Sequence, residues 1–199
     1  MVEGHYGLHK YLSERLGRWG EALWTFVACS LAIAVSAFAA HLFKQPLFFP
    51  SLGPTVYLFF ESPMTPMASP RNTVIGHCVA VVVGWASLAT FDLFGEPSVF
   101  REGVTLARAE AGTLSVALTG TLLLLLRSSH PPAGATVLIV SLGLLRTSRG
   151  MLALMASVVT LTIAGWVINR AVGTPVPIWK SGGVEAGNPG ATGAKGEDA

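Results

Sequence analysis

An all-α fold, a polytopic membrane helical bundle, is predicted by three observations. Hydrophobic residues make up 51% of the 199 and charged residues only 12%, about half the charged share of an ordinary soluble domain. Four long stretches are nearly free of charge. Two shorter apolar segments each open with proline and glycine. Together these give an architecture of two repeats, each a long helix, a short Pro/Gly-broken segment and a long helix.

The long stretches are Leu23–Phe43, Thr73–Phe91, Ala111–Leu126 (reaching back to about Val104) and Met151–Ile168. A helix needs about 20 apolar residues to cross a bilayer core, and none of these has the polar face of a soluble amphipathic helix. Four long transmembrane helices are expected. The first run is too long for a cleaved signal, and mostly polar residues precede it. Residues 1–22 are read as a cytoplasmic segment, 23–172 as the transmembrane domain and 173–199 as a flexible tail. Trp19, Trp24 and Trp179 are expected at headgroup level. Cys29 and Cys78 lie in apolar runs without ligand-spaced partners, so no metal or cofactor is expected.

The short segments are Leu47–Phe60 and Pro131–Leu145. Each is too short to span comfortably and reads as a half-helix or re-entrant piece. They match at a fixed offset: Pro50 with Pro131, Gly53 with Gly134, Thr55 with Thr136, each 131 − 50 = 81 positions apart. The same offset carries Gly84-Trp85 onto Gly165-Trp166. An internal duplication follows, over about 23–91 and 104–168. If each short segment crosses, the repeats are inverted; if each dips and returns, they are parallel. The positive-inside count places eight of the 13 basic residues inside in both cases, with both termini cytoplasmic. Paired broken segments in corresponding positions favour inversion, with a site near the midplane.

The broken segments carry the chemistry. Ser51 is a good N-cap residue, Gly53 lets the backbone turn, and Pro54 suits a first helical turn. Ser128, Ser129 and His130 precede Pro131, Pro132, Gly134 and Thr136 in the same manner. Two helix N-termini should therefore start within the membrane, each with orphan N–H groups and the positive end of a dipole. Such ends bind anions and repel cations. His130 stands at the entrance, an imidazole that titrates near neutral pH. The candidate substrate-binding set is Ser51, Gly53, Thr55, Ser128, Ser129, His130, Gly134 and Thr136. Arg71, His77 and Arg127 are accessory: the arginines could draw an anion to the mouth or anchor helix ends. His77 could be a site residue or reach the interface. Asn72 is read as the cap of the helix beginning at Thr73. Arg108 and Glu110 do not share a helix face and are read as interfacial or paired with other segments. Small polar residues such as Ser115 and Thr119 suit close helix packing.

Other classes fare worse. A net charge of 13 − 11 = +2 excludes a nucleic-acid binder with a broad basic surface. Ser129-His130 is a poor nucleophile–base pair, because neighbours in sequence rarely face each other and no acidic orienter is near. The chain is not expected to be an enzyme, and it has no phosphate-cradling glycine loop.

The run His130-Pro131-Pro132-Ala133-Gly134-Ala135 resembles the signature of the HPP family of integral membrane proteins. Two further blocks match in order: Pro50-Ser51-Leu52-Gly53-Pro54-Thr55, and Ser69-Pro70-Arg71-Asn72 with Gly76-His77 following. The resemblance covers about residues 20–172. It implies a compact domain of about four membrane helices. It also implies transport of a small monovalent anion, because characterised members in chloroplasts and cyanobacteria are nitrite transporters. The expectation is an integral protein of a bacterial inner membrane, with a small anion and the lipid bilayer as partners and room for a homo-oligomer. An anion channel and a non-transporting membrane scaffold or subunit are the alternatives.

Overall fold

A computed structural model describes residues 7–44, 48–174 and 176, and among these residues there is no strand. The helices are α1 (Leu8–Leu16), α2 (Arg18–Phe43), α3 (Leu52–Glu61), α4 (Pro70–Thr90), α5 (Val99–Glu102), α6 (Leu106–Leu125), α7 (Ala133–Ser141) and α8 (Ser148–Ala171). A single 3-10 turn, Pro66–Ala68, precedes α4. The order long, short, long thus occurs twice, as α2-α3-α4 and α6-α7-α8.

Three helices, α2, α4 and α8, are long and apolar enough to cross a membrane. The sequence reading expected a fourth in α6. That helix has 20 residues but carries Arg108 and Glu110 near its start. The short helices have 10 and 9 residues, so at 1.5 Å per residue each covers about half of a 30 Å hydrocarbon core.

Packing is crossed between the two units. α3 lies against α2 and α8, while α7 lies against α6 and α4, and α4 and α8 touch in the middle. Glycines permit this. A Cβ on Gly84 of α4 would sit 2.7 Å from Val140 Cβ of α7. A Cβ on Gly165 of α8 would collide with the Phe59 ring of α3. Both contacts obey the sequence offset, since 165 − 84 = 81 and 140 − 59 = 81.

The first long helices match less well at 81. On α2 the buried stripe includes Ala28, Ala32 and Ser36; on α6 it includes Ala111, Ser115 and Thr119, each 111 − 28 = 83 positions on. Trp24 packs edge-on against Phe60, and Arg108 donates to the carbonyl of Ser141, the position matching Phe60 at 60 + 81 = 141. The connection before the second half-helix is two residues shorter, so identity at a single offset fades there.

Several sequence expectations need correction. Trp24 does not face the surroundings: it is 4% exposed, inside the cluster of Ala28, Phe60 and Leu161. Trp19 is exposed, and Trp179 lies outside the described residues. Residues 8–16 of the N-terminal segment form a helix packed on α2. The reading of 173–199 as a tail falls mostly outside the described residues. At its start, however, Thr174 N–H donates to Asn169 O and Val176 is buried. Cys78 is exposed and Cys29 half-buried; both are free. Of the two readings of Arg108, the structure bears out pairing with other segments: it is 1% exposed, and its guanidinium donates to the carbonyls of Leu93, Glu96, Pro97 and Ser141. Gly143, at φ +79, leaves room that any Cβ would take from that guanidinium.

Candidate functional site

The first turns of the two half-helices meet at one buried ring. Thr55 on α3 and Thr136 on α7, the pair related by 136 − 55 = 81, both bond His77 of α4: Thr55 Oγ1 is 3.0 Å from Nε2 and Thr136 Oγ1 is 2.7 Å from Nδ1. His130 completes the cluster, with its Nε2 3.3 Å from His77 Nε2 and its Nδ1 2.8 Å from Met67 O. All four side chains are within 1% of full burial.

The partners fix the protons of two neutral rings. A carbonyl only accepts, so His130 Nδ1 carries its hydrogen toward Met67 O, and its Nε2 is left as an acceptor. His77 must then donate from Nε2, which leaves its Nδ1 to accept the Thr136 hydroxyl. The Thr55 hydroxyl donates to Ser51 O at 3.2 Å and accepts from His77. The result is a closed polar chain from Met67 to Thr136 inside an apolar bundle, with one proton between two imidazoles.

Local structure holds this chain in place. Ser69 caps α4 by accepting from Asn72 N–H, so Asn72 is not the cap. Its side chain instead donates to Ser129 O at 3.3 Å and ties the segment before α7 to α4. Gly76 lets His130 approach: a Cβ there would lie 2.8 Å from His130 Cβ. Arg127 turns left-handed at φ +49 after α6, and Ser128 N–H closes the turn on Leu123 O. Arg71 donates to Arg127 O and to Asn72 Oδ1.

The candidate residues therefore divide. Thr55, His77, His130 and Thr136 come together, and Ser129 and Gly134 stand beside them on a groove described below. Ser128 turns away, its hydroxyl donating to Leu126 O. Gly53 is exposed and a Cβ there meets open space, so it does not give the backbone access expected of it. Ser51 occupies the N-cap position without making the cap bond, and its buried hydroxyl has no partner. Arg71 and Arg127 secure the turn at the edge of the site.

The expectation of orphan amides at the tips is also corrected. Leu52 and Gly53 N–H donate to Phe49 and Pro50 carbonyls, and Ala133, Gly134 and Ala135 N–H donate to His130, Pro131 and Pro132. Three-residue turns absorb these donors, and prolines supply none. The polar surface at the centre belongs to side chains. Sequence reasoning missed Met67 O, the Asn72 tie and the role of Gly76. The sequence signals for His77 were its isolation in an apolar helix and its place in the block that follows Ser69-Pro70-Arg71-Asn72.

Half-helices meeting at a buried imidazole pair define a polytopic membrane protein with a polar centre. The chain belongs to the HPP family: the family model described as HPP, transmembrane region, matches residues 14–177. Among curated proteins it is similar to two transmembrane proteins of Dictyostelium discoideum. One is 30% identical over 134 residues, 64% of this chain and 42% of that protein. The other is 27% identical over 158 residues, 74% of this chain and 47% of that protein. The chain thus spans less than half the length of these relatives. No solved structure matches.

Proposed function

We propose that the protein is a transporter of a small monovalent anion, with nitrite as the substrate that the family resemblance implies. The observation that carries this reading is the convergence of Thr55 and Thr136, from the first turns of two half-helices, on His77. The positive ends of two short dipoles then point toward the same region. Because the tip amides are held in turns and prolines supply none, an anion at the centre would be held by hydroxyl and imidazole N–H groups that exchange a partner within the Thr–His chain for it, with the dipoles adding field and no contacts. The two long–short–long units are read as a duplication with inverted orientation, which brings two like ends to one centre. The reaction is translocation, without covalent chemistry.

Nitrite uptake by proteoliposomes tests this. Wild-type protein should take up nitrite and be inhibited by competing small anions such as nitrate or formate. His77→Phe and His130→Ala should each lower uptake about tenfold or more, the effect of one lost bond to a charged group, while still inserting and eluting as folded protein. Collapse of concentrative uptake by a proton uncoupler would mark a coupled transporter; unaffected downhill flux would mark a channel. Folded protein that moves no anion would leave the scaffold reading in its place.

A further inference from the structure

Beside the imidazole pair, α6 and α7 leave a groove of about 300 Å³. Its walls include Ser129, His130 and Gly134 on one side and Val116, Thr119 and Leu123 on the other. Thr119 is 2% exposed, and its hydroxyl has no hydrogen-bond partner. Buried hydroxyls without partners are uncommon, because each forfeits the hydrogen bonds it had in water. Other hydroxyls on apolar helices here bond the carbonyl one turn back, as Thr121, Thr160 and Thr162 do. Thr119 does not, and it borders an open volume that also reaches His130.

The first unit has no imidazole at the position matching the groove's histidine. The residue 130 − 81 = 49 is Phe49, which packs against the cluster of Trp24 and Phe60. Val116 also borders a neighbouring hollow of about 450 Å³ whose walls include Arg108. The seam between α6 and α7 therefore has a cation at one end and an imidazole at the other.

We propose that this groove is the binding vestibule through which a small oxyanion reaches His130, with the Thr119 hydroxyl as its first hydrogen-bond donor. The inference rests on the anion-transport reading and adds a residue and a side of entry to it. Roughly 300 Å³ holds such an ion with several waters, each water occupying about 30 Å³. A hydroxyl donates to an oxyanion without adding net charge, so the ion can leave again.

Two measurements separate this inference from the transport reading. The first uses Thr119→Cys in a Cys29→Ala/Cys78→Ala background, labelled with a negatively charged methanethiosulfonate reagent. Labelling should proceed, and excess sodium nitrite should slow it several-fold where sodium gluconate at equal ionic strength does not. The second compares nitrite uptake by Thr119→Val and Thr119→Ser in proteoliposomes. The valine variant should raise the KM about tenfold, as expected for one lost donor to a charged group, while the serine variant stays within about twofold. Nitrite-sensitive labelling in a protein that moves no nitrite would keep the vestibule and remove transport. Absent or nitrite-insensitive labelling, or a Thr119→Val KM equal to wild type in a protein that does transport, would overturn the vestibule and leave transport standing.

Discussion

Substituting Gly84 with alanine tests the crossed packing at its tightest point. The new Cβ would stand 2.7 Å from Val140 Cβ, 3.0 Å from its Cγ1 and 3.2 Å from Val137 O. Ordinary contact begins near 3.4 Å, so α7 must recede from α4 by about 3.4 − 2.7 = 0.7 Å. No rotamer of Val140 relieves this, because its Cβ is fixed to the backbone. Overpacking of this kind costs about 1–3 kcal/mol. At Gly165 the obstacle is the Phe59 ring, which can rotate, so Gly165→Ala should cost less than Gly84→Ala. Displacing α7 also pulls Thr136, one turn before Val140, from the 2.7 Å contact with His77, so uptake should fall with stability. Thermal unfolding in detergent of Gly84→Ala, Val140→Gly and the double variant forms a cycle. Val140→Gly alone destabilises through its empty volume and the helix propensity of glycine. The double variant should be more stable than the sum of the single effects by about 1 kcal/mol or more. Strict additivity, or a Gly84→Ala variant as stable as wild type, would refute the close approach of α4 and α7.

Arg108→Leu strands carbonyls of the 93–97 loop and of Ser141, at about 1–3 kcal/mol for each that water cannot reach. Arg108→Lys should recover only part of the loss, because an ammonium cannot fork toward carbonyls on two sides; melting temperatures of the two variants rank them. Gly53→Leu should be tolerated in both stability and uptake, since its Cβ direction is open and exposed. Gly134→Leu should insert normally and yet lower uptake, because its side chain projects into the groove beside His130. Equal effects of the two leucine substitutions would contradict the placement of the site on the α7 side.

The long helices were legible because lipid leaves no choice of composition. Leu23–Phe43 and Met151–Ile168 fall inside α2 and α8, whose ends extend through Arg18 and Arg170 at the edges of the apolar span. The half-helices were legible for a second reason: proline belongs in the first turn of a helix and breaks an interior, so the clusters Pro50–Pro54 and Pro131–Gly134 mark their starts. Facing was not legible. A helix apolar on every side gives no periodic signal of which side is buried, so nothing in α4 distinguished buried His77 from exposed Cys78. Thr119 was hidden in the same way among Thr113, Ser115 and Thr121. The tip amides were misjudged because orphan donors follow from an ideal α-helical start, whereas these starts tighten into three-residue turns. Asn72 was misassigned by one cap: Ser69 stands three residues earlier and takes that role, which frees the amide side chain to reach Ser129 O.

The likeness of the two units makes their differences informative. Thr55 and Thr136 match at one offset, as do the glycines that receive α3 and α7. The imidazoles do not. The position matching His130 is Phe49, and the position matching His77 is 77 + 81 = 158, a fully buried valine in the apolar cluster of Trp24 and Phe60. On the α3–α8 side the two positions matching the histidines are therefore apolar, while the other side carries both histidines and the groove that reaches Thr119. A symmetric pair of polar sites would leave more unpaired donors in lipid, where each is costly. Concentrating the polar groups on one side lets His77 serve both threonines with a single ring, and it leaves the α3–α8 side as a rigid wall. If the proposed vestibule is the entrance, an anion reaches the centre from the side between α6 and α7, and α3 opposite supplies field and support.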